Sequence, residues 1–342
     1  MTLARVPPAR YPRVDVHLLP SVPLKRRRHT VLPEQAGPLV DVLAEVLGEA
    51  KARAEERVAR GSVWVDGRRA RVAGVALRAG QILTVVLEEA GEDVLAPAAP
   101  PPPIEVLYRD EACIAVAKPA GINAQASPGR VDENLLSEVS RLLGHPAGLV
   151  HRLDRETSGV TVFGVTKQDT SALAEAFREG TAHKRYLAAC GPALAGHGEG
   201  GRIDLPLSRD PSRPGRFRAS RRAHGVHAVT DWSLLHAEQD HALVALFPRT
   251  GRTHQLRAHL TALDAPICGD ARYGGARTIG GQPADRCLLH AQALLLPHPR
   301  TGAPLLLEAP LPEDLHRVFR QDGVTPPIGT WNVGGVGDGP SV

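Results

Sequence analysis

The run His151-Arg152-Leu153-Asp154-Arg155-Glu156-Thr157-Ser158-Gly159 stands directly before an apolar stretch, residues 160–166. Polar groups at the mouth of a buried strand form a loop on a rigid support, a common place for reactive side chains. Asp154 is ionised at neutral pH, with a reference pKa of about 3.9. Taken alone, such an aspartate serves equally as an Asx-turn former or an ion-pair partner. His151 offers an imidazole that could act as a base, yet a structural role in the loop is the expectation. Thr157, Ser158 and Gly159 are read as turn-shaping, since no Gly-x-Ser-x-Gly elbow surrounds the serine. His254 and His259 lie five apart, which is not the HExxH spacing, so no metal site is expected.

Composition narrows the classes. The 342 residues imply about two domains, with 42% hydrophobic and 23% charged residues as in ordinary globular chains. No apolar run is long enough to span a membrane, and the N-terminus lacks a secretory pattern. Cys113, Cys190, Cys268 and Cys287 form no CxxC pair, so free thiols and a cytoplasmic location are expected. A net charge of +4 proves no polyanion partner. The basic residues are nearly all arginine, the side chain best suited to bidentate phosphate contact and base stacking.

Residues 97–103 (PAAPPPP) read as a stiff extended linker. Before it, residues 1–37 read as a basic arm around Lys25-Arg26-Arg27-Arg28-His29, either a solvated run or an RNA contact. Within 38–96, Leu39, Val42, Leu43, Val46 and Leu47 recur at helical spacing; Ala50, Ala54 and Val58 extend the pattern, and Gly61 can end it. Asp66-Gly67 then offers a hairpin turn. Residues 104–320 alternate paired strands with helices, which predicts an α+β domain on a mixed, largely antiparallel sheet. Residues 321–342 read as a loose Gly/Pro-rich tail.

Six segments carry a resemblance. HRLDRETSG resembles the signature of the RluA-type pseudouridine synthases. Lys118-Pro119-Ala120-Gly121 precedes it. Lys184-Arg185-Tyr186 and Thr250-Gly251-Arg252-Thr253-His254-Gln255-Leu256-Arg257 follow, then Pro266–Asp270 with Tyr273-Gly274 and Leu289-His290-Ala291. One departure is Gly121-Ile122-Asn123-Ala124-Gln125, where the family often continues with histidine-proline. The helices of residues 39–58 and the strands after them resemble an S4-type RNA-binding domain, with Lys51, Arg53, Arg57, Arg60, Arg68 and Arg69 in the matching region. Here Glu49–Arg53 and Gly80-Gln81 depart from the usual Ser-Arg and Gly-Asp.

The resemblance implies isomerisation of uridine to pseudouridine in RNA. The base is cut from C1′ at N1, turned and rejoined through C5. Such a reaction needs a carboxylate at the ribose, attacking C1′ or assisting proton loss at C2′. It needs a cation to orient that carboxylate, a flat side chain to hold the free uracil, and a closed pocket. It needs no metal or redox cofactor. By the resemblance Asp154 is the carboxylate, Arg257 its partner and Tyr186 the stacking residue. Arg152 either fills the gap left by a flipped nucleotide or contacts phosphate. His151, Leu153, Arg155, Thr157, Lys184, Arg252, His254 and Leu289 are the further candidates for substrate binding. An arginine-rich loop at Arg209, Arg213, Arg216, Arg218, Arg221 and Arg222 either clamps RNA or is merely solvated. The expected partner is structured RNA, 23S ribosomal RNA ahead of tRNA, acted on by a monomer. Two rivals remain: a non-catalytic RNA chaperone, and a hydrolytic nucleosidase using Asp204, Asp210 or Asp270 as a second carboxylate.

Overall fold

The computed structural model describes residues 25–59, 62–66, 68–70, 72, 74–87, 104–125, 134–213, 215–221 and 225–328. Among these, residues 25–87 form one compact unit, and 104–125 with 134–328 form another. Arg60 and Gly61 and the linker 97–103 lie outside the described residues. None of the described helices is long and apolar enough to cross a membrane.

The smaller unit contains β1 (Lys25–Thr30), α1 (Leu39–Leu47), α2 (Lys51–Ala59), β2 (Val63–Val65), β3 (Arg68–Arg69) and β4 (Ile82–Leu87), with sheet order β1-β4-β2-β3. Leu39, Val42, Leu43 and Val46 of α1 pack with Ala54 and Val58 of α2 onto Val63, Leu83 and Val85. The helical run expected through residue 58 is broken at Gly48, whose φ of 65° caps α1 in the left-handed conformation that glycine adopts without strain. The basic arm also needs correction. Residues 25–30 are an edge strand paired antiparallel with the whole of β4. A run of like charges shows no period-2 signal, and charged residues are what edge strands favour. The expected hairpin does form: Asp66 turns at φ 49°, and its carboxylate accepts the Ile82 N–H at 2.8 Å.

The larger unit contains β5 (Glu105–Arg109), β6 (Cys113–Lys118), α3 (Leu135–Leu143), β7 (Ser158–Gly164), α4 (Lys167–Glu179), β8 (His183–Cys190), β9 (Gly200–Asp204), β10 (Val229–Ala237), β11 (Ala242–Pro248), α5 (Gln255–Ala262), β12 (Leu289–Pro297), β13 (Pro304–Glu308) and α6 (Glu313–Gln321). Its sheet runs β9-β10-β11-β8-β12-β7-β6-β5. Every pairing along it is antiparallel except β7 with β12. Both faces are covered, so β7 and all of β12 but its last residue are buried, polar Thr161, His290 and Gln292 included. Alternate residues of β8 divide between the faces: Ala188 and Cys190 pack with Leu256 and Leu260 of α5, and Leu187 and Ala189 with Leu315 and Phe319 of α6.

The sheet forks at β12. Its first residues pair with β7 (Ser158 with His290, Gly159 with Ala291). From Ala293 onward it pairs with β13 instead. A β-bulge lies at the fork, where Arg185 opposes Ala293 but Tyr186 opposes Ala291. Gly159 makes the junction possible. Its φ is 122°, and a Cβ there would lie 2.1 Å from the Ala291 carbonyl oxygen.

The tail expected from residue 321 is tied down at its start. Pro327 O accepts from Arg185 Nη2 at 2.8 Å. Asp322 Oδ2 lies 2.8 Å from His241 Nε2, while His241 Nδ1 lies 2.6 Å from Asp240 Oδ1. Both ring nitrogens can donate only in the imidazolium. Burial opposes that charge, but the two carboxylates outweigh it and raise the His241 pKa above its usual value. The raised pKa sets the sign: this stabilisation is complete below pH ~6.5 and is lost as pH rises through the folded-state value. Urea midpoints measured across pH 6 to 9 are expected to fall more steeply in the native chain than in His241→Gln; parallel curves would refute the assignment.

Candidate active site

Asp154 sits in the loop entering β7, and that loop is fixed on several sides. The Thr157 N–H closes a turn onto Asp154 O at 3.1 Å. Arg155 and Gly121 bond reciprocally, Gly121 N to Arg155 O and Arg155 Nε to Gly121 O, both at 2.8 Å. Lys118, only 1% exposed, spends its ammonium on three carbonyls: Pro119 and Ile122 at 2.9 Å and Arg155 at 3.1 Å. Burial lowers its pKa to about 7, and the Asp154 charge pulls the other way. Arg286 donates to Glu156 O at 3.1 Å while gripping Asp314 with Nε and Nη2.

Arg257 reaches this loop from α5. Its Nη1 donates to Asp154 Oδ2 at 3.2 Å. Its Nε and Nη2 fork onto Asp270 at 2.6 and 2.8 Å, and Asp270 is fully buried. Burial alone would lower the guanidinium pKa, but Asp270 and Asp154 raise it, so the charge is permanent. Arg257 also lies over the Tyr273 ring, 4.9 Å from its centroid. The loop before α5 is latched by buried Gln255. Its amide donates to Val229 O and Thr230 Oγ1 at 2.9 Å, and its Oε1 accepts from Thr250 at 2.7 Å.

Tyr186, at the bulge, is half-buried. Burial and then the charge of Asp154 push its phenol pKa well up, so it stays neutral. One permanently charged cation thus meets one partly exposed carboxylate, and a neutral ring stands at the bulge of the sheet fork. That set can stabilise a reacting ribose and hold a planar base.

A family model for RNA pseudouridylate synthases matches residues 112–262. Ribosomal large subunit pseudouridine synthase D of Xanthomonas campestris pv. campestris is 36% identical over 316 residues, covering 85% of this chain and 91% of the relative. The chain belongs to the RNA pseudouridylate synthase family. The protein of the same name from Xylella fastidiosa is 34% identical, covering 84% of this chain and 90% of its own. The structure of human RNA pseudouridylate synthase domain containing 4 aligns with TM-score 0.53 and 29% identity over 65% of this chain and 94% of that one. The enzyme is therefore an isomerase that converts uridine to pseudouridine in RNA.

The remaining candidates separate. His254 lies at the site, its Nε2 3.8 Å from Asp154 Oδ2. Arg152 is exposed, and Arg252 donates to His227 O at 3.2 Å. Lys184 extends over the Phe177 ring, 5.9 Å from its centroid. His151 is corrected to a packing residue. It stacks on Phe177 at 4.7 Å and accepts the Val162 N–H, and burial lowers its pKa to about 3. Leu289 is likewise corrected: it is 3% exposed, packed with Leu246 and Leu256 because β12 is covered on both faces. Leu153 and Thr157 are buried as well. The arginine-rich loop is corrected to a hairpin, Leu207–Arg209 paired with Phe217–Ala219; Arg222 lies outside the described residues.

In the smaller unit, Lys51 pairs with Asp41 at 2.8 Å and Arg53 is exposed. Arg57 is held by both oxygens of Glu49, at 2.8 and 3.1 Å. Arg68 and Arg69 lie in β3.

Lys118, Tyr273 and Arg286 were given no role by sequence reasoning, although two of them stand inside matching segments, and Asp270 was weighed only as a nucleosidase's second carboxylate. Arg286 has no motif signal. Asp110, Cys113 and His298 form one cluster of metal-ligand types among the described residues. It is a closed network: Asp110 already accepts four hydrogen bonds, and burial and Asp110 hold the Cys113 thiol up at about 12.

Removing Asp270 strands a buried guanidinium. Asp270→Ala is expected to lose about 3–5 kcal/mol of stability in urea unfolding, and a loss below 1 kcal/mol would contradict the pairing.

Proposed function

We propose that the enzyme isomerises uridines of 23S ribosomal RNA, with Asp154 acting at the ribose, Arg257 orienting it and Tyr186 stacking on the uracil. The observation that carries this reading is the shared guanidinium, which binds Asp270 on its fork and touches Asp154 with its remaining nitrogen. In the reaction the N1–C1′ bond breaks and the C5–C1′ bond forms; C5 gives up its hydrogen and N1 gains one. Asp154 suits either attack at C1′ or proton removal at C2′. Ribosomal RNA is favoured over tRNA because curated relatives at 30–36% identity over most of the chain carry a large-subunit name.

The smaller unit is read as the S4-like RNA-binding domain. The α1–α2 pair followed by β2 and β3, with exposed Lys51 and Arg53, supports this. Such a module adds effective concentration and register on a large RNA. Arg152 and the hairpin arginines complete the RNA contact. A monomeric, cytoplasmic enzyme fits four free, buried cysteines.

The nucleosidase reading is disfavoured by its carboxylates. Asp270 is consumed by Arg257, Asp210 by Ser212, and Asp204 is exposed beside His227. A catalytically dead chaperone is disfavoured because the Asp154–Arg257 contact is formed.

Tritium release from C5-labelled RNA tests the chemistry. Native protein is expected to release tritium from unmodified 23S ribosomal RNA; Asp154→Asn is expected to release none while binding RNA as tightly. Release from tRNA alone would replace the substrate, and free uracil as product would replace the reaction. A Lys51→Ala, Arg53→Ala double variant is expected to raise KM with kcat unchanged. It should also flatten the salt dependence of RNA affinity by about one to two units of log–log slope.

A further inference from the structure

A chain of hydrogen bonds runs from the arginine-rich hairpin to the reacting carboxylate. The Phe217 backbone N–H, which can only donate, reaches Tyr273 Oη at 2.9 Å. Tyr273 Oη lies 3.1 Å from His254 Nδ1. These are the two polar partners of the phenol oxygen among the described residues; the hydroxyl is buried and Nδ1 is its one acceptor there, so its hydrogen is assigned to Nδ1. The proton of the neutral ring therefore sits on Nε2, and Nε2 faces Asp154 Oδ2 at 3.8 Å. Contacts of this kind are often long without substrate and tighten in the complex.

Three further observations fit. His254 adopts φ 57°, a left-handed conformation that a non-glycine residue holds only where surrounding structure imposes it. Its ring stands edge-on to both Phe217 and Tyr273, at 5.8 and 5.7 Å. Finally, Arg257 and His254 both approach Asp154 Oδ2, which leaves Oδ1 to face a substrate. Burial keeps the ring neutral, with Arg257 and Arg272 adding to the effect and Asp154 and Asp270 opposing it.

We propose that His254 is a positioning residue: its Nε2–H, fixed by the Phe217–Tyr273 relay, orients Asp154 and ties the RNA-facing hairpin to the reacting centre. This rests on Asp154 being the catalytic carboxylate. The hairpin carries exposed Arg209 and Arg218 on the same short ladder as Phe217. RNA seated there fixes the Phe217 N–H, and with it the tautomer that faces the carboxylate.

Two conservative variants separate this role from packing. Glutamine places an amide N–H near the position of Nε2; asparagine reaches only the position of Nδ1. Asparagine is the better residue at φ 57°, so backbone strain cannot explain a loss in His254→Asn. Tritium release is measured for the native chain, His254→Gln, His254→Asn, Tyr273→Phe, Asp154→Asn and the Tyr273→Phe, His254→Asn double variant. His254→Gln is expected to stay within about threefold of native kcat, and His254→Asn to lose about 10- to 100-fold in kcat at unchanged KM. Tyr273→Phe should also lose kcat, and the double variant should be no slower than His254→Asn. Equal rates for the Gln and Asn variants, a change confined to KM, or additive losses would overturn the proposal. An active Asp154→Asn would instead remove the carboxylate assignment on which it stands.

Discussion

A single buried guanidinium organises this enzyme. Arg257 brings a permanent positive charge into the interior, where it is stable only because Asp270, itself without solvent exposure, meets it with two hydrogen bonds. That pair is neutral by itself. The nitrogen left over reaches Asp154, whose own charge is balanced by solvent access and by the field of a neighbouring cation. The division of labour is physical. The fully buried carboxylate anchors, and the partly exposed one is available for chemistry. Tyr273 extends the arrangement, with two guanidinium groups near its ring, Arg257 at 4.9 Å and Arg216 at 5.0 Å from the centroid.

The loop bearing Asp154 is held by two long basic side chains, one buried and one half-buried. Lys118 and Arg286 donate to the carbonyls of the two residues that follow the aspartate, Arg155 and Glu156. Loop carbonyls facing an interior would be costly without donors, and long cationic side chains supply several at once. The aspartate therefore stands on a scaffold of main-chain contacts, with few side-chain contacts of its own.

Much of this was legible in the sequence, and the failures follow a pattern. Asp154, Tyr186 and Arg257 stand in motifs, and the fold brings Arg257 onto Asp154 from 103 positions away. The apolar stretch expected to be a buried strand at 160–166 overlaps β7, Ser158–Gly164, because a run of that kind bounded by polar loops leaves few alternatives. Lys25–Thr30 was hidden because a cationic edge strand carries no apolar alternation. His151 and Leu289 stand in motifs as well, but sequence proximity to a reactive residue does not specify direction. Successive residues of a strand face opposite ways, and a loop imidazole can turn inward. Asp270 was weighed as a free carboxylate because its partner, thirteen residues away, becomes visible only in three dimensions. Arg286 lies in no motif at all, and its role depends on a loop 130 residues earlier in the chain.

The two-residue parallel contact at the sheet fork has a consequence for how the protein is made. Ser158 and His290 are 132 positions apart, yet their side chains bond at 2.9 Å beside the reactive loop. Closing a loop of that length is an entropic cost that must be met before the contact stabilises anything, so high-contact-order junctions of this kind form late in folding. On a ribosome, the smaller unit is complete in sequence long before β12 has been synthesised. The chain therefore passes through a stage in which its smaller unit can exist without an assembled reaction centre, and catalytic competence arrives only with its last strands.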